Sequence, residues 1–489
     1  GASSPTVKQM EAAKKKKLKR LESLQDRSTD DTLTFEEMGI DALLIDEAHN
    51  YKRSEFSTKM GNIKGIDAGA SKRSSSLILK SNFIREKTNN KNIILATGTP
   101  ISNTTAELWT MIRYVRPELL KEYGVSLFDD FASTFGDTSI TTEETSTGDF
   151  KEVERFNKFA NGPELITLFH SASDVVLTKN AGLNLPEVKG GKAEVVVVER
   201  SKELGDYIEE LRAEMHRFEN MTGKMKMANR HIPLVVFGKA KKAAIDMQMI
   251  DPVKYKDDPN GKLNTVANNI FKIWKQTTKT KGTQAVFIDA YQDTSGNFNA
   301  YRFIKEKLIE QGIPKREILV VNDAGNDSKK ESMFSKMRSG EARVILGSTQ
   351  KLGVGVNMQD KLYAAHHVDV PLRPMDIEQR NGRIVREGNE NEEVQIFNYG
   401  VKNTLDSVSY DRLIKKQKFI DQMLNGDIEG REFDDPLGSE QISFAEMNAA
   451  FSGNPLLFEK SDVIIKVKEQ EILYNAHVKS VSSAKREIR

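Results

Sequence analysis

Two adjacent carboxylates, Asp46 and Glu47, close a short apolar run, Ala42 to Ile45, in the stretch DALLIDEAHNYKR. Paired acids at a strand end can divide the labour of phosphoryl transfer. Asp46 can hold Mg2+ through the ion's own waters, because Mg2+ prefers hard oxygen ligands and keeps much of its shell. Glu47 points elsewhere and can orient or deprotonate an attacking water. In an open parallel sheet, ligands sit beyond the carboxyl ends of the strands, which is where this pair stands. The alternative is a helix N-cap pair at a strand–loop–helix junction.

A second strand end adds to this. In NIILATGTPISNTTAELW the apolar run ends on Thr97, Gly98, Thr99 and Pro100. Small hydroxylated residues there can hydrogen-bond the acidic segment and a shifting phosphate, and Gly98 permits a tight turn. Asn103 or Thr104 is expected to start the following helix. Basic groups come later, in MDIEQRNGRIVREG. Gln379, Arg383 and Arg386 fall at spacings of four and three, one stripe of a helix over 375–386. Two arginines so placed can reach a γ-phosphate, a role worth about 10³ to 10⁵ in rate where measured. A solvated basic helix face is the alternative. The segment ILGSTQKLGVGVNMQ before it is another strand end, whose Gly353 and Gly355 let backbone approach a nucleotide or a nucleic-acid phosphate.

The elements that must position these residues alternate. Strands are expected at Ala42–Ile45, Asn92–Ala96, Glu194–Val198, Gln284–Ile288, Ile318–Val321, Arg343–Leu346, Ala364–Val370 and Val394–Tyr399. Helices are expected at 8–25, 71–88, 103–115, 202–221, 262–277, 298–311, 328–338, 375–386 and 404–424. Strands separated by helices argue for an α/β fold with parallel sheets. GLNLPEVKGG, 182–191, carries a Pro and three glycines and marks a lobe boundary. GDTSITTEETSTGD, 136–149, reads as a surface loop. The Met-rich stretch 202–250 reads as a helical insertion whose methionines fill a core. The expected division is a partial first lobe over 1–186, a second lobe over 187–425, and a linker with a helical tail over 426–489.

Composition bounds the function classes. The chain has 489 residues, 38% hydrophobic and 29% charged, as a globular protein of several domains would. It has no cysteine, which excludes disulfides, thiolate zinc sites and thiol catalysis and agrees with a cytoplasmic location. The net charge of +2 requires any nucleic-acid surface to be a local patch. The run Lys14 to Lys17 reads as a solvated helix face.

Taken in order, DEAH at 46–49, TGTP at 97–100, STQKLGVGVN at 348–357 and QRNGRIVREG at 379–388 resemble the motifs of the helicase-like superfamily 2 motors. Within these, DEAHNYKR and HHVDVPLRPMDIEQRNGRIVREG are similar to the Swi/Snf-type double-stranded DNA translocases. The resemblance covers about residues 35 to 425. More narrowly, the chain resembles the very large helicase-like proteins of phages and conjugative elements, often fused to an adenine methylase. The resemblance implies two RecA-like lobes, ATP and Mg2+ as cofactors, duplex DNA as partner and a fused or associated methylase. It gives Asp46 the metal and Glu47 the water. His49, Thr97 and Thr99 would couple nucleotide state to DNA grip. Arg383 and Arg386 would be the fingers, with Gln379 beside them. Thr349, Lys351, Gly353 and Asn357 would lie on the DNA-facing or interlobe loop. Leu352 departs from the pattern, standing where the family usually has glycine.

Motors of this kind cradle the β- and γ-phosphates with G-x-x-x-x-G-K-[ST]. The Gly-Lys pairs at 191, 223, 238 and 261 are not followed by Ser or Thr, and all come after the acidic pair. The expectation is a first lobe lacking its phosphate-loop strand, within a fragment of a longer protein.

Overall fold

The structure, a computed structural model, describes residues 33–56, 71–101, 106–144, 150–177, 181–229, 231–290, 298–353, 357–371, 373–426 and 431–434, with a few single positions besides. The predicted helix at 8–25, the tail beyond 434, Asn103 and Gly355 lie outside these residues. The fold is α/β, and the chain divides into two compact units. Among the described residues no helix is long and apolar enough to cross a membrane.

The first unit draws on residues of 1–141, 153–175 and 418–440. Its elements are β1 (Leu43–Ile45), α1 (Lys72–Thr88), β2 (Ile93–Leu95), α2 (Ala106–Val115), α3 (Pro117–Glu122), α4 (Phe128–Phe135), β3 (Gly136–Glu144) and β4 (Phe150–Ala160), of which 142–144 and 150–152 fall in the second unit, and α5 (Gly162–Ala172). β1 and β2 pair in parallel, Leu43 with Ile93 and Ile45 with Leu95. Helix α1 starts where Ser71 accepts from Ser74 N at 3.1 Å, and closes at Asn89 in the left-handed region, φ 54°. The core is aromatic. Trp109 stands edge-on to Phe128, centroids 5.6 Å apart, and donates its indole N–H to Val125 O. Phe419, Ile420 and Met423 pack into the same core.

The predicted surface loop at 136–149 is corrected: 136–144 is strand β3, which neighbours β4. Its Thr138, Ile140, Thr141 and Thr142 are β-branched and suit a pleated ladder. The predicted linker likewise contains a strand, Glu432–Asp434, antiparallel to the end of β4. Leu44 and its register partner Ile94 are 75% and 58% exposed, so one face of the β1–β2 pair is bare among the described residues.

The second unit draws on 142–152, 176–417 and 441–489. Its elements are β5 (Glu187–Val188), β6 (Glu194–Val198), α6 (Lys202–Glu219), α7 (Gly223–Ala228), α8 (Ile232–Ile245), α9 (Lys262–Gln276), β7 (Thr283–Phe287), α10 (Ala300–Glu310), β8 (Ile318–Val320), α11 (Asp327–Ser339), β9 (Val344–Gly347), α12 (Thr349–Leu352), β10 (Leu362–His367), α13 (Pro374–Asn381), β11 (Glu393–Val401) and α14 (Leu405–Asn425), of which residues up to 417 fall in this unit. The seven strands form one sheet in the order β5-β11-β10-β7-β9-β8, with β6 also on β11, and every pairing is parallel. Parallel sheets need cover on both faces. Here Ile270, Ile304 and Leu308 of α9 and α10 meet Val286, Val344 and Leu346 on one face, while Phe334, Met337 and Ile384 meet Phe287 and Ile345 on the other. This is the sheet expected of a RecA-like lobe.

The 202–250 stretch is helical, as α6, α7 and α8. Its methionines divide: Met215 is buried, but Met225 and Met227 are exposed, which corrects their reading as core filler.

A polar seam crosses the sheet. Asn269 Nδ2 donates to Tyr399 Oη, Tyr399 Oη lies 2.8 Å from His366 Nδ1, and His366 Nε2 lies 3.0 Å from Gln284 Oε1, while Gln284 Nε2 donates to Ile270 O. That order assigns the proton of His366 to Nε2 and leaves Nδ1 as acceptor. Burial pushes the imidazole down to about 3, so it stays neutral.

Candidate active site

The β1–β2 ladder continues past both strands. Ala96 N donates to Ile45 O at 2.8 Å and Ala48 N to Ala96 O at 3.0 Å, which sets 46–49 beside 96–99. Asp46 is exposed, and its Oδ1 accepts from Glu47 N at 2.8 Å. Glu47 sits in the left-handed region, φ 51° and ψ 46°. A non-glycine residue held there costs of order 1 kcal/mol and persists only where its neighbours over-determine it. The conformation turns its carboxylate to His49, Oε2 lying 3.3 Å from Nδ1. His49 is buried, and the same Nδ1 lies 3.0 Å from Thr97 Oγ1, which accepts from Thr99 N at 3.1 Å. Four predicted residues, Glu47, His49, Thr97 and Thr99, thus form one hydrogen-bonded group.

The donors suit a hydrated Mg2+: Asp46 is an exposed hard-oxygen ligand, and the next carboxylate faces a different direction. Gly98 is corrected in one respect. Its φ is not positive and a Cβ there would meet open space, so the turn itself does not require glycine. Behind the acids, Lys52 pairs with Glu107 at 3.0 Å, both side chains about nine-tenths buried, joining the acidic segment to α2. Tyr114 Oη donates to Tyr51 O at 2.9 Å and burial pushes its hydroxyl up to about 12.

In the second unit the carboxyl ends of three adjacent strands converge on one side chain. Asp289 follows β7, Thr349 follows β9 and Asp369 follows β10. Arg380, from the last turn of α13, is fully buried among them. Its Nε donates to Thr349 Oγ1 at 2.8 Å, and its Nη2 to Asp289 Oδ2 at 2.8 Å and Asp369 Oδ1 at 3.1 Å. Its Nη1 donates to Asp369 O at 3.0 Å and lies 3.5 Å from His367 Nδ1. Asp289 accepts twice from Thr349, from N and from Oγ1, each at 2.7 Å. Asp369 Oδ2 accepts from the N–H groups of Asp289 and Ala290. Burial alone would raise the Asp289 carboxyl; Arg380 and the Thr349 bonds outweigh it and hold it below its ordinary value. His367 is pushed well below its ordinary value by burial and then by Arg380, so it is neutral.

The helix predicted over 375–386 is shorter. α13 closes at Asn381, and Gly382 breaks it into turns in which Arg383 N donates to Arg380 O at 3.2 Å and Ile384 N to Asn381 O at 3.0 Å. Gln379 is therefore helical while Arg383 and Arg386 sit on the turns after it, and the single helical stripe is corrected. Arg383 Nε still reaches Gln379 O at 3.4 Å. Both arginines are half-buried.

Of the loop residues, Thr349 is buried with its hydroxyl in the Arg380 network, Lys351 is half-buried on α12, and Asn357 is exposed with its carbonyl accepting from Arg338. Gly353 is required, since a Cβ would collide with Thr349 O. Leu352 is fully buried against Gly347, whose missing side chain leaves it room.

Sequence reasoning passed over Arg380, Asp289, Asp369, Lys52 and Glu107. A signal existed for the two aspartates: each closes an apolar strand, as Asp46 does. Nothing separated Arg380 from its neighbours, since burial is invisible in a basic run.

The family described as a probable helicase domain matches residues 4–176. The chain is similar to the defense against restriction protein B of Escherichia phage P1, 29% identical over 139 residues, or 28% of this chain and 6% of that protein's length. Similar solved structures include the DUF1998 helicase MrfA bound to DNA, with TM-score 0.24, 14% identity, and 32% of this chain and 20% of that one covered. They also include the C-terminal part of the Fun30 ATPase domain, with TM-score 0.33, 12% identity, and 57% and 99% covered. Residues 4–176 are thus similar to a probable helicase domain.

Proposed function

We propose that the chain is part of an ATP-dependent double-stranded DNA translocase, a helicase-like ATPase of a mobile genetic element. The observation that carries this reading is the hydrogen-bonded group Glu47–His49–Thr97–Thr99 at two parallel strand ends, beside the exposed Asp46. Asp46 would hold Mg2+, which neutralises charge on the triphosphate when bound. Glu47 orients the attacking water. Arg383 and Arg386 meet the charge that develops on the γ-phosphate. Gly98 leaves room for the nucleotide, and Gly353 and Gly355 keep backbone near it. Lys351 and Asn357 face duplex phosphates, and Thr349 anchors their loop from behind. The phage origin of the similar curated protein supports the mobile-element part.

A second reading is a non-catalytic DNA-binding or scaffolding piece. The lack of any G-x-x-x-x-G-K-[ST] in these residues favours it for the chain taken alone. The two separate in an ATPase assay with duplex, single strands and RNA, on this chain and on a version extended upstream. Duplex-stimulated hydrolysis in the extended protein supports the motor. Duplex binding without hydrolysis there supports the scaffold.

A further inference from the structure

Among the described residues strand β6, Glu194–Val198, pairs with β11 alone, so its other edge carries no strand. Val198 O accepts from Lys402 N at 3.0 Å, which turns the backbone groups of Val198 toward β11. Bonded residues alternate along a parallel ladder, so Val195 and Val197 present their N–H and C=O groups to the open edge. Their side chains are bare as well, 63% and 60% exposed, while Val196 packs into the core from the opposite face. The run holds no proline, and its register with β11 is unbroken from Glu194 to Val198, so no bulge turns the edge away. An apolar edge left in this state is a template for one more strand.

The two exposed valines also line a groove of about 650 Å³. Asn398 and Gly400 lie beside Val195 and Val197 in register and line it with them. Ile377 of α13 and Leu413 and Ile414 of α14 supply further apolar wall, and Ile414 is 64% exposed. Oδ1 of Asn398 is buried without a hydrogen-bond partner among the described residues. A carboxamide has a donor and an acceptor side by side and can meet both groups of a peptide unit. Two carboxylates, Glu378 and Asp411, face the groove from the two helices. The one cation lining it, Lys402, is held by Glu199 at 3.2 Å. The complement of such a lining is apolar with a positive charge beside it. The open backbone edge favours a polypeptide over a small apolar molecule, which has no use for unpaired N–H and C=O groups.

We propose that this edge and groove together bind an extended segment of another polypeptide. The segment adds a strand to β6 through Val195 and Val197, sets alternate apolar side chains into the groove, and brings a Lys or Arg to Glu378 and Asp411. Backbone pairing supplies the affinity and the groove supplies the selection.

A displayed library of random decapeptides, selected on this chain, tests it. Val197→Pro removes an outward N–H that β11 does not use, a change edge strands tolerate. Ile414→Glu puts a charge on the exposed wall. Selected peptides should alternate apolar residues, carry Lys or Arg, and bind each variant at least tenfold more weakly than the parent. With a selected peptide bound, amide exchange at Val195 and Val197 should slow at least tenfold while Val196 stays within twofold. Should Val197→Pro not fold, Ile414→Glu and exchange in the parent decide alone. Selection that yields no peptide weakened by these changes, or exchange that stays the same at Val195 and Val197, overturns the proposal. So does a parent chain that dimerises with concentration while Val197→Pro stays monomeric, because a second copy then covers the edge.

Discussion

His49 Nδ1 lies 3.0 Å from Thr97 Oγ1, joining two strand ends that are 48 residues apart in sequence. The bond matters because Thr97 also accepts from Thr99 N and because Glu47 reaches the same imidazole. Thr97→Val keeps the shape and removes the hydroxyl, leaving Thr99 N, in a buried residue, without this acceptor. An unmet donor of this kind costs about 1–3 kcal/mol. Urea unfolding should show a loss of that size in the first unit. A variant as stable as the parent would mean the hydroxyl is not shared in this way.

In the second unit Lys262 Nζ lies 2.5 Å from Asp406 Oδ2, with the lysine side chain 0% and the aspartate 9% exposed. Asp406 also accepts from Val401 N, so the pair ties the start of α9 to the end of β11. Removing one partner of a buried pair costs about 3–5 kcal/mol, whereas replacing both with apolar residues is often neutral. Lys262→Met should therefore lower the stability of this unit by that amount, and Lys262→Met with Asp406→Leu should recover most of it. Equal losses in the single and double variants would count against a charge effect.

The His366 seam predicts a pH dependence. The folded imidazole is held down to about 3, against an ordinary 6.5, by burial. A group whose folded pKa is lowered contributes stability that is present above the unfolded pKa and is lost as pH falls through the window between the two. Between pH 6.5 and 4.5 the second unit should weaken, by at most on the order of 3 kcal/mol from this residue. His366→Gln cannot gain charge, so its stability should be lower at pH 7 but fall less steeply over that window. Parallel curves would show that His366 does not titrate with unfolding.

Leu352 fills a gap that Gly347 leaves. A Cβ on Gly347 would lie 2.7 Å from Leu352 Cγ, inside contact distance. Gly347→Ala should destabilise by about 1–3 kcal/mol through overpacking. Leu352→Ala alone should cost about 2–5 kcal/mol as a cavity. The double variant should cost less than the two single losses added together. Simple additivity in a urea melt would deny the contact.

The strands were the most legible level. All eight expected strands are present, because short apolar runs flanked by breakers leave few alternatives. Helix starts at Ser71, Ser201 and Asn326 carry capping residues visible in sequence, and each side chain accepts from the N–H three positions on. The loop at 136–149 was misread because its polar composition hides β-branched residues, and because the neighbouring strand, Phe150–Ala160, was not itself expected. The helix over 375–386 was overextended because charge spacing says nothing of where Gly382 ends it. At the site, hydroxyls and acids beside strand ends were readable from residue type. The Arg380 network was not, since its meaning lies in which strand ends are neighbours in the sheet, and the order β10-β7-β9 cannot be read from chain order.

Under the function proposed above, Glu47 and Arg383 both serve the hydrolysis of ATP. The direct measurement is single-turnover ATP hydrolysis, with duplex, by the upstream-extended protein carrying Glu47→Gln, Arg383→Ala or both. Each single change should slow hydrolysis by about 10³-fold or more while ATP still binds, and the double variant should be little slower than the worse single, as for groups that serve one transition state. Turnover at the parent rate in either single variant, or losses that multiply in the double, would contradict it.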